Sequence, residues 1–163
     1  FMPQQGNAAS AGNAGGGAKK TGGSQTLRSV TIKQLHDCVT NADDVFTVSG
    51  HEIHTVALCG KICSKVEQST SVQLIIDDGT GKAEVKFWLD SDTGGDGADP
   101  SANQASRAEW RVGVYVRVYG NLRAFQGKRH VVAYTIKPIS DYNEVTFHFL
   151  DAVATHLQMR GGS

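Results

Sequence analysis

Residues 112–137, VGVYVRVYGNLRAFQGKRHVVAYTIK, decide how this chain is read. Val112, Val114, Val116, Val118 and Leu122 alternate with Tyr115, Arg117, Tyr119, Arg123 and Phe125. Alternation at period two marks a strand with one face in a core and the other in solvent. The inner face is aliphatic, and the outer face is aromatic and cationic. Gln126-Gly127-Lys128 turns the chain into a second apolar run, residues 131–136, which predicts a long hairpin with a basic tip. With Arg111 just before the stretch, six basic side chains (Arg111, Arg117, Arg123, Lys128, Arg129, Lys137) gather here with no Asp or Glu among them. Rings set among cations suit a single-stranded nucleic acid, whose bases stack while its phosphates meet charge.

Upstream, residues 53–66 read as a long strand with Val56, Leu58, Ile62 and Val66 on one side and Gly60 at a bulge or barrel corner. Residues 72–76 and 83–89 are two further strands joined by Asp77-Asp78-Gly79-Thr80-Gly81, an Asp-Gly hairpin signal. Parity turns Ala83, Val85, Phe87 and Leu89 inward and leaves Glu84, Lys86 and Trp88 outward. Trp88 and Phe125 are thus expected on one open side of the molecule, ready to take bases between them. Residues 91–107 are rich in Gly, Asp and Ser and read as a loop, with a helical turn over 102–110 in which Trp110 closes the barrel bottom.

At the N-terminal side, Thr31 and Gln34 form a T-x-x-Q capping box for a short helix over 30–39, with Ile32, Leu35 and Val39 on its inner face. Residues 45–48 lead as a short strand to the Ser49-Gly50 turn. After Pro138, Asp141 and Glu144 open a helix that runs to about Arg160. Tyr142, Val145, Phe147, Phe149, Leu150, Val153, Ala154 and Leu157 span an arc wider than the ~100° that one covered surface needs. Such a helix of ~30 Å outreaches a small barrel and predicts contact with other helices. His148 and His156 are expected on its surface.

Net charge is zero over 163 residues, which argues against a strongly basic binder. The distribution is uneven: residues 77–109 hold eight acids against three bases, and the later hairpin reverses the sign. Modest affinity with a shallow salt dependence is expected. Residues 4–24 are Gly, Ala, Ser, Asn and Gln with two Lys and one Thr, too polar to offset their ordering entropy, so a disordered tail is expected over 1–29. Phe1 before Met2 reads as a remnant of expression. No membrane span or signal peptide is visible. Three cysteines suggest a reducing compartment.

Catalytic patterns are missing. Cys59 and Cys63, with His51 and His54 nearby, stand ~13 Å apart along a strand, too far for one zinc ion. No phosphate-cradling loop and no Ser-His-Asp arrangement stands out. No cofactor, no metal and no enzyme activity are expected. Five strands with a helix or loop between the third and fourth predict an all-β, five-stranded OB-fold barrel over 30–139, flanked by the helix over 140–160 and a tail at 161–163.

Three segments carry a family resemblance: IIDDGTGKAEVKFW (75–88), VYVRVYGNLRAFQGKRHVVAYTIKPI (114–139) and DYNEVTFHFLDAVATHL (141–157). In this order they resemble the middle subunits of replication protein A, the eukaryotic single-stranded DNA-binding heterotrimer of replication, repair and recombination. The resemblance implies a nuclear protein with stacking rings at Trp88 and Phe125. Arg123, Lys128 and Arg129 would be backbone contacts, joined by Lys86 and Arg117. It implies that Val145, Phe149, Leu150, Val153 and Leu157 meet the large and small subunits in a three-helix bundle. It also implies a phosphorylated tail (Ser10, Ser24, Ser29) and a following winged-helix domain, so a shortened piece is expected. A telomere-capping subunit of the same fold, or an assembly scaffold with little DNA contact, are the alternatives.

Overall fold

A computed structural model describes residues 27–89 and 107–161. The chain enters on a short strand, β1 (Leu27–Ser29), and Thr31 then caps helix α1 (Ile32–Asp37). Both halves of the capping box form: Gln34 N donates to the Thr31 hydroxyl (3.2 Å) and Thr31 N donates to the Gln34 side-chain oxygen (3.0 Å). Three short strands follow as a small antiparallel sheet: β2 (Val39–Thr40), β3 (Phe46–Val48) and β4 (His51–Ile53). Val39, expected on the helix face, lies in β2 opposite Thr47 and is exposed, because the helix ends at Asp37.

Five strands then build the barrel: β5 (Thr55–Glu67), β6 (Ser71–Asp77), β7 (Lys82–Trp88), β8 (Tyr115–Phe125) and β9 (Lys128–Pro138). Their order is β5-β6-β7-β9-β8, and β8 closes back on β5. Neighbours are antiparallel except β7 and β9, which are parallel. Closure leaves these strands no open edge for another chain to pair with. In the β8–β9 hairpin the two linking residues, Gln126 and Gly127, both take positive φ (51° and 75°), the twist a two-residue turn requires.

Strand β5 serves two partners, β8 along its first half and β6 along its second. The ladder slips between Ile62 and Ser64, and that bulge makes the corner. Gly60 was expected to mark it, but its reason is proximity: a Cβ there would stand 2.8 Å from the Asp77 carbonyl oxygen. A bulge reverses the facing of every later side chain. Val66, expected inside, is therefore exposed, while Lys65 turns under and donates to the Arg107 carbonyl at 3.0 Å. Gly120 marks a second slip, between β8 and β9, where a Cβ would overlap the Val132 carbonyl oxygen.

The core lies inside the barrel, where Leu58, Ile62, Leu74, Ile76, Val85 and Val118 are sealed from solvent. Burying each such side chain contributes on the order of 1.5–3 kcal/mol. Trp110, expected to close the barrel bottom, is 1% exposed within the core cluster and meets Phe87 edge-on at 5.2 Å. Residues 107–109 are helical, and the rest of the 91–107 loop lies outside the described residues. Helix α1 presses Ile32 and Leu35 on the core. The β6–β7 turn secures its start, since Ile32 N donates to Asp78 (2.8 Å) and Lys33 N to Thr80 (3.0 Å).

Helix α2 (Asn143–Gly161) begins at Asp141, whose carboxylate accepts from Asn143 N at 2.9 Å. It lies on β1 and β5. His148, expected at the surface, is buried there and donates from Nε2 to the Val30 carbonyl at 3.1 Å. Burial holds its imidazole below the ordinary range, with the Val30 bond opposing that effect. Ser29 donates to Asp151 at 2.6 Å, and His51 to the Met159 carbonyl at 3.0 Å. Residues 27–29 therefore belong to the fold rather than to a tail, because β1 runs parallel to β5 and seats the helix. Ser29 is tied into that seat. Ser10 and Ser24 lie outside the described residues, as does the rest of the tail over 1–26.

Candidate nucleic-acid interface

Strands β7, β9 and β8 lie side by side and present one continuous outer face. Ladder pairing aligns its ranks. Glu84, His130 and Arg123 form one rank, and Lys86, Val132 and Asn121 the next. At one end Phe125 pairs with Lys128, and Lys82 stands two residues before Glu84 on the same side of β7. At the other end, Trp88 and Tyr134 each follow one residue after the paired Phe87 and Ala133 and are exposed, Tyr134 as the extra residue of the slip between β8 and β9. Phe125 is 67% exposed, Tyr134 50% and Trp88 42%. These are large apolar surfaces left in water beside cations, the composition of a stacking platform.

The expected rings thus share one side of the barrel, but they stand at its two ends. Lys128 and Tyr134 are six residues apart on β9, and at ~3.3 Å per residue that separates the end ranks by ~20 Å. Trp88 and Phe125 can stack different nucleotides of one strand; they cannot hold a single base between them. Lys86 Nζ stands 4.4 Å over the Trp88 ring, a cation–π contact within the track.

The expected cations divide. Lys86, Arg123 and Lys128 lie on the track; Arg123 and Lys128 are exposed and Lys86 is half-buried. Arg123 donates to the neighbouring Leu122 carbonyl at 3.2 Å. Arg129 is half-buried and donates from Nη1 to the His36 carbonyl at the end of α1, which binds the hairpin tip to that helix. Arg117 does not belong to the track. It donates to the Glu144 carbonyl (3.3 Å) and to the Tyr119 hydroxyl (3.4 Å), and the bond to Tyr119 holds its guanidinium above the ordinary range. Beside it Tyr115 meets Tyr142 edge-on at 5.5 Å. This half of the outer face of β8 meets the entry to α2, whose body lies on β1 and β5.

Sequence reasoning passed over two members of the face, Tyr134 and Lys82. Strict parity from Val131 would have turned Val132 and Tyr134 outward, had residues 131–136 not been read as one apolar run. Helix α2 also divides its apolar residues. Val145 and Phe149 are half-buried on the barrel side, whereas Phe147, Leu150, Val153 and Leu157 are exposed. Among the described residues no cluster of His, Cys, Asp or Glu could hold a metal ion. Cys59 is buried, which pushes its thiol up to about 11.

A closed five-stranded barrel with rings and cations along one open face defines a nucleic acid-binding class. The family described as OB-fold nucleic acid binding domain matches residues 56–139, and the chain belongs to it. Its homologues are 32 kDa subunits of replication protein A. One of these, from Oryza sativa subsp. japonica, is 39% identical over 88% of this chain and 46% of that protein. Replication factor A protein 2 of Schizosaccharomyces pombe is 37% identical over 85% of this chain and 46% of that protein. The chain spans about half the length of the curated relatives it matches. Among solved structures, a chain of a replication protein A heterotrimer bound to ssDNA superposes with a TM-score of 0.69 at 36% identity, covering 82% of this chain and 97% of that one. A chain of the S. pombe Stn1-Ten1 complex gives a TM-score of 0.70 at 16% identity, covering 81% of this chain and 92% of that one, a likeness of fold alone.

Proposed function

We propose that this chain is the middle subunit of a replication protein A heterotrimer and binds single-stranded DNA, without sequence preference, in nuclear DNA replication. The observation that carries this reading is the open outer face of β7, β9 and β8, with Trp88 at one end and Phe125 with Lys128 at the other. Every base has a π-face, so rings bind any sequence, and cations along the same face meet the backbone. Few phosphates are neutralised, so affinity is modest alone and is raised when stronger domains are tethered nearby. Similar chains solved in a replication protein A heterotrimer bound to ssDNA and in yeast RPA bound to ssDNA support the same ligand. The test is Trp88→Ala with Phe125→Ala in the assembled complex. The nuclease-protected length is expected to shorten; an unchanged length would overturn the reading.

The large and small subunits take the exposed face of α2. Leu150, Val153 and Leu157 present apolar surface that the barrel leaves uncovered, while Val145 and Phe149 serve the barrel. Leu150→Asp with Leu157→Asp is expected to abolish co-purification of the three subunits with no change in this chain's melting temperature. Assembly of that variant would refute the interface.

A further inference from the structure

We propose that Tyr134 is a third stacking residue that acts with Trp88, so that the track grips its strand harder at the Trp88 end than at the Phe125 end. The inference rests on the single-stranded DNA reading above and extends it to the division of labour along the face. A solitary exposed tyrosine on a strand is ordinary surface. Tyr134 is not solitary. It follows Ala133, which pairs with Phe87, just as Trp88 follows Phe87 on the adjacent parallel strand, and it is the extra residue that the slip between β8 and β9 leaves unpaired. Side chains of one rank on neighbouring strands are close enough to meet the same ligand group. Half of Tyr134 is open, on the side that carries Lys86, Arg123 and Lys128. Ala133 before it and Ile136 two residues after it are buried in the core, so β9 is anchored on both sides of the ring. One end of the track therefore has two rings and the other has Phe125 alone.

A labelled oligothymidylate titrated against the intact protein, read by fluorescence anisotropy, tests this. Tyr134→Ala and Tyr134→Leu are each expected to weaken binding about tenfold, the scale of one lost stacking contact. Tyr134→Phe keeps the ring and is expected to bind within about twofold of the original. The slope of affinity against salt should not change in any of the three, because no cation is removed. If Trp88→Ala weakens binding while Tyr134→Ala and Tyr134→Leu do not, the proposal is overturned and the reading of the face stands. If Tyr134→Phe loses as much as Tyr134→Ala, stacking is not what Tyr134 does and the proposal is also overturned. If the unaltered protein fails to bind, the face and this assignment fall together.

Discussion

The outer side of β8 runs through two environments. Tyr115, Arg117 and Tyr119 are half-buried where the chain enters α2, whereas Arg123 and Phe125 lie open at the hairpin end. Both halves alternate rings and guanidinium groups at the same period. In the first half Tyr115 meets Tyr142 just before the helix, Tyr119 accepts from Arg117, and Arg117 also satisfies the Glu144 carbonyl; in the second the ring and the cation face water. A ring-and-cation strand face is therefore a place where something docks, and only the rest of the chain decides whether that is a helix of the same molecule or a foreign polymer.

Substitutions on the two halves should have opposite signatures. The largest effect is expected from Trp88→Ala with Phe125→Ala: ~1–3 kcal/mol of binding lost for each ring, with the melting temperature held, measured by anisotropy and calorimetry. Loss of folding instead would mean the open half is structural. Arg117→Ala should do the reverse, leaving binding nearly intact and lowering stability by ~1–3 kcal/mol, since it removes a donor from a partly buried site; chemical denaturation measures it. Removing single charges from the track is milder. Lys82→Ala or Lys128→Ala should each lower the slope of log affinity against log salt by ~0.7, and a slope that does not move would take that residue off the track. Glu84 sits in mid-track between Lys82 and Lys86, so Glu84→Gln should tighten binding by a few-fold at low salt, the smallest change of the set.

The helix seat should also respond to acid. His148 is held neutral by burial, with its pKa below the ordinary value of 6.5. The unfolded chain takes up the proton first, so stability is full above that value and falls as pH drops below it. A melting temperature that declines from pH 7 toward pH 5, and declines less in His148→Gln, is the expected result.

Most of the barrel was legible because inner and outer residues alternate strictly in β6, β7 and β8. The capping box of α1 and the two hairpins were equally plain, since each rests on side chains or turn residues close in sequence. What escaped had distant causes. The bulge at Ile62 and Ser64 arises because β5 must leave β8 for β6, and nothing local to Val66 announces its reversal. His148 looked polar on a helical wheel; its partner is a carbonyl on Val30, 118 positions away. Arg117 and Phe125 looked alike because they share a strand face, and their separation needed the path of α2. Tyr134 and Lys82 were the recoverable omissions: Tyr134 was hidden by reading an alternating segment as a block, and Lys82 continues the outward parity of Glu84, Lys86 and Trp88 by one step.

The anchoring of α2 has a mechanical result. Ser29 to Asp151, His148 to Val30 and Arg117 to Glu144 fasten the first half of the helix to the barrel wall at three points. So fixed, the barrel cannot swivel about its own stalk. Whatever grips the far side of that stalk also sets the compass bearing of the track, and with it the direction from which a strand must arrive.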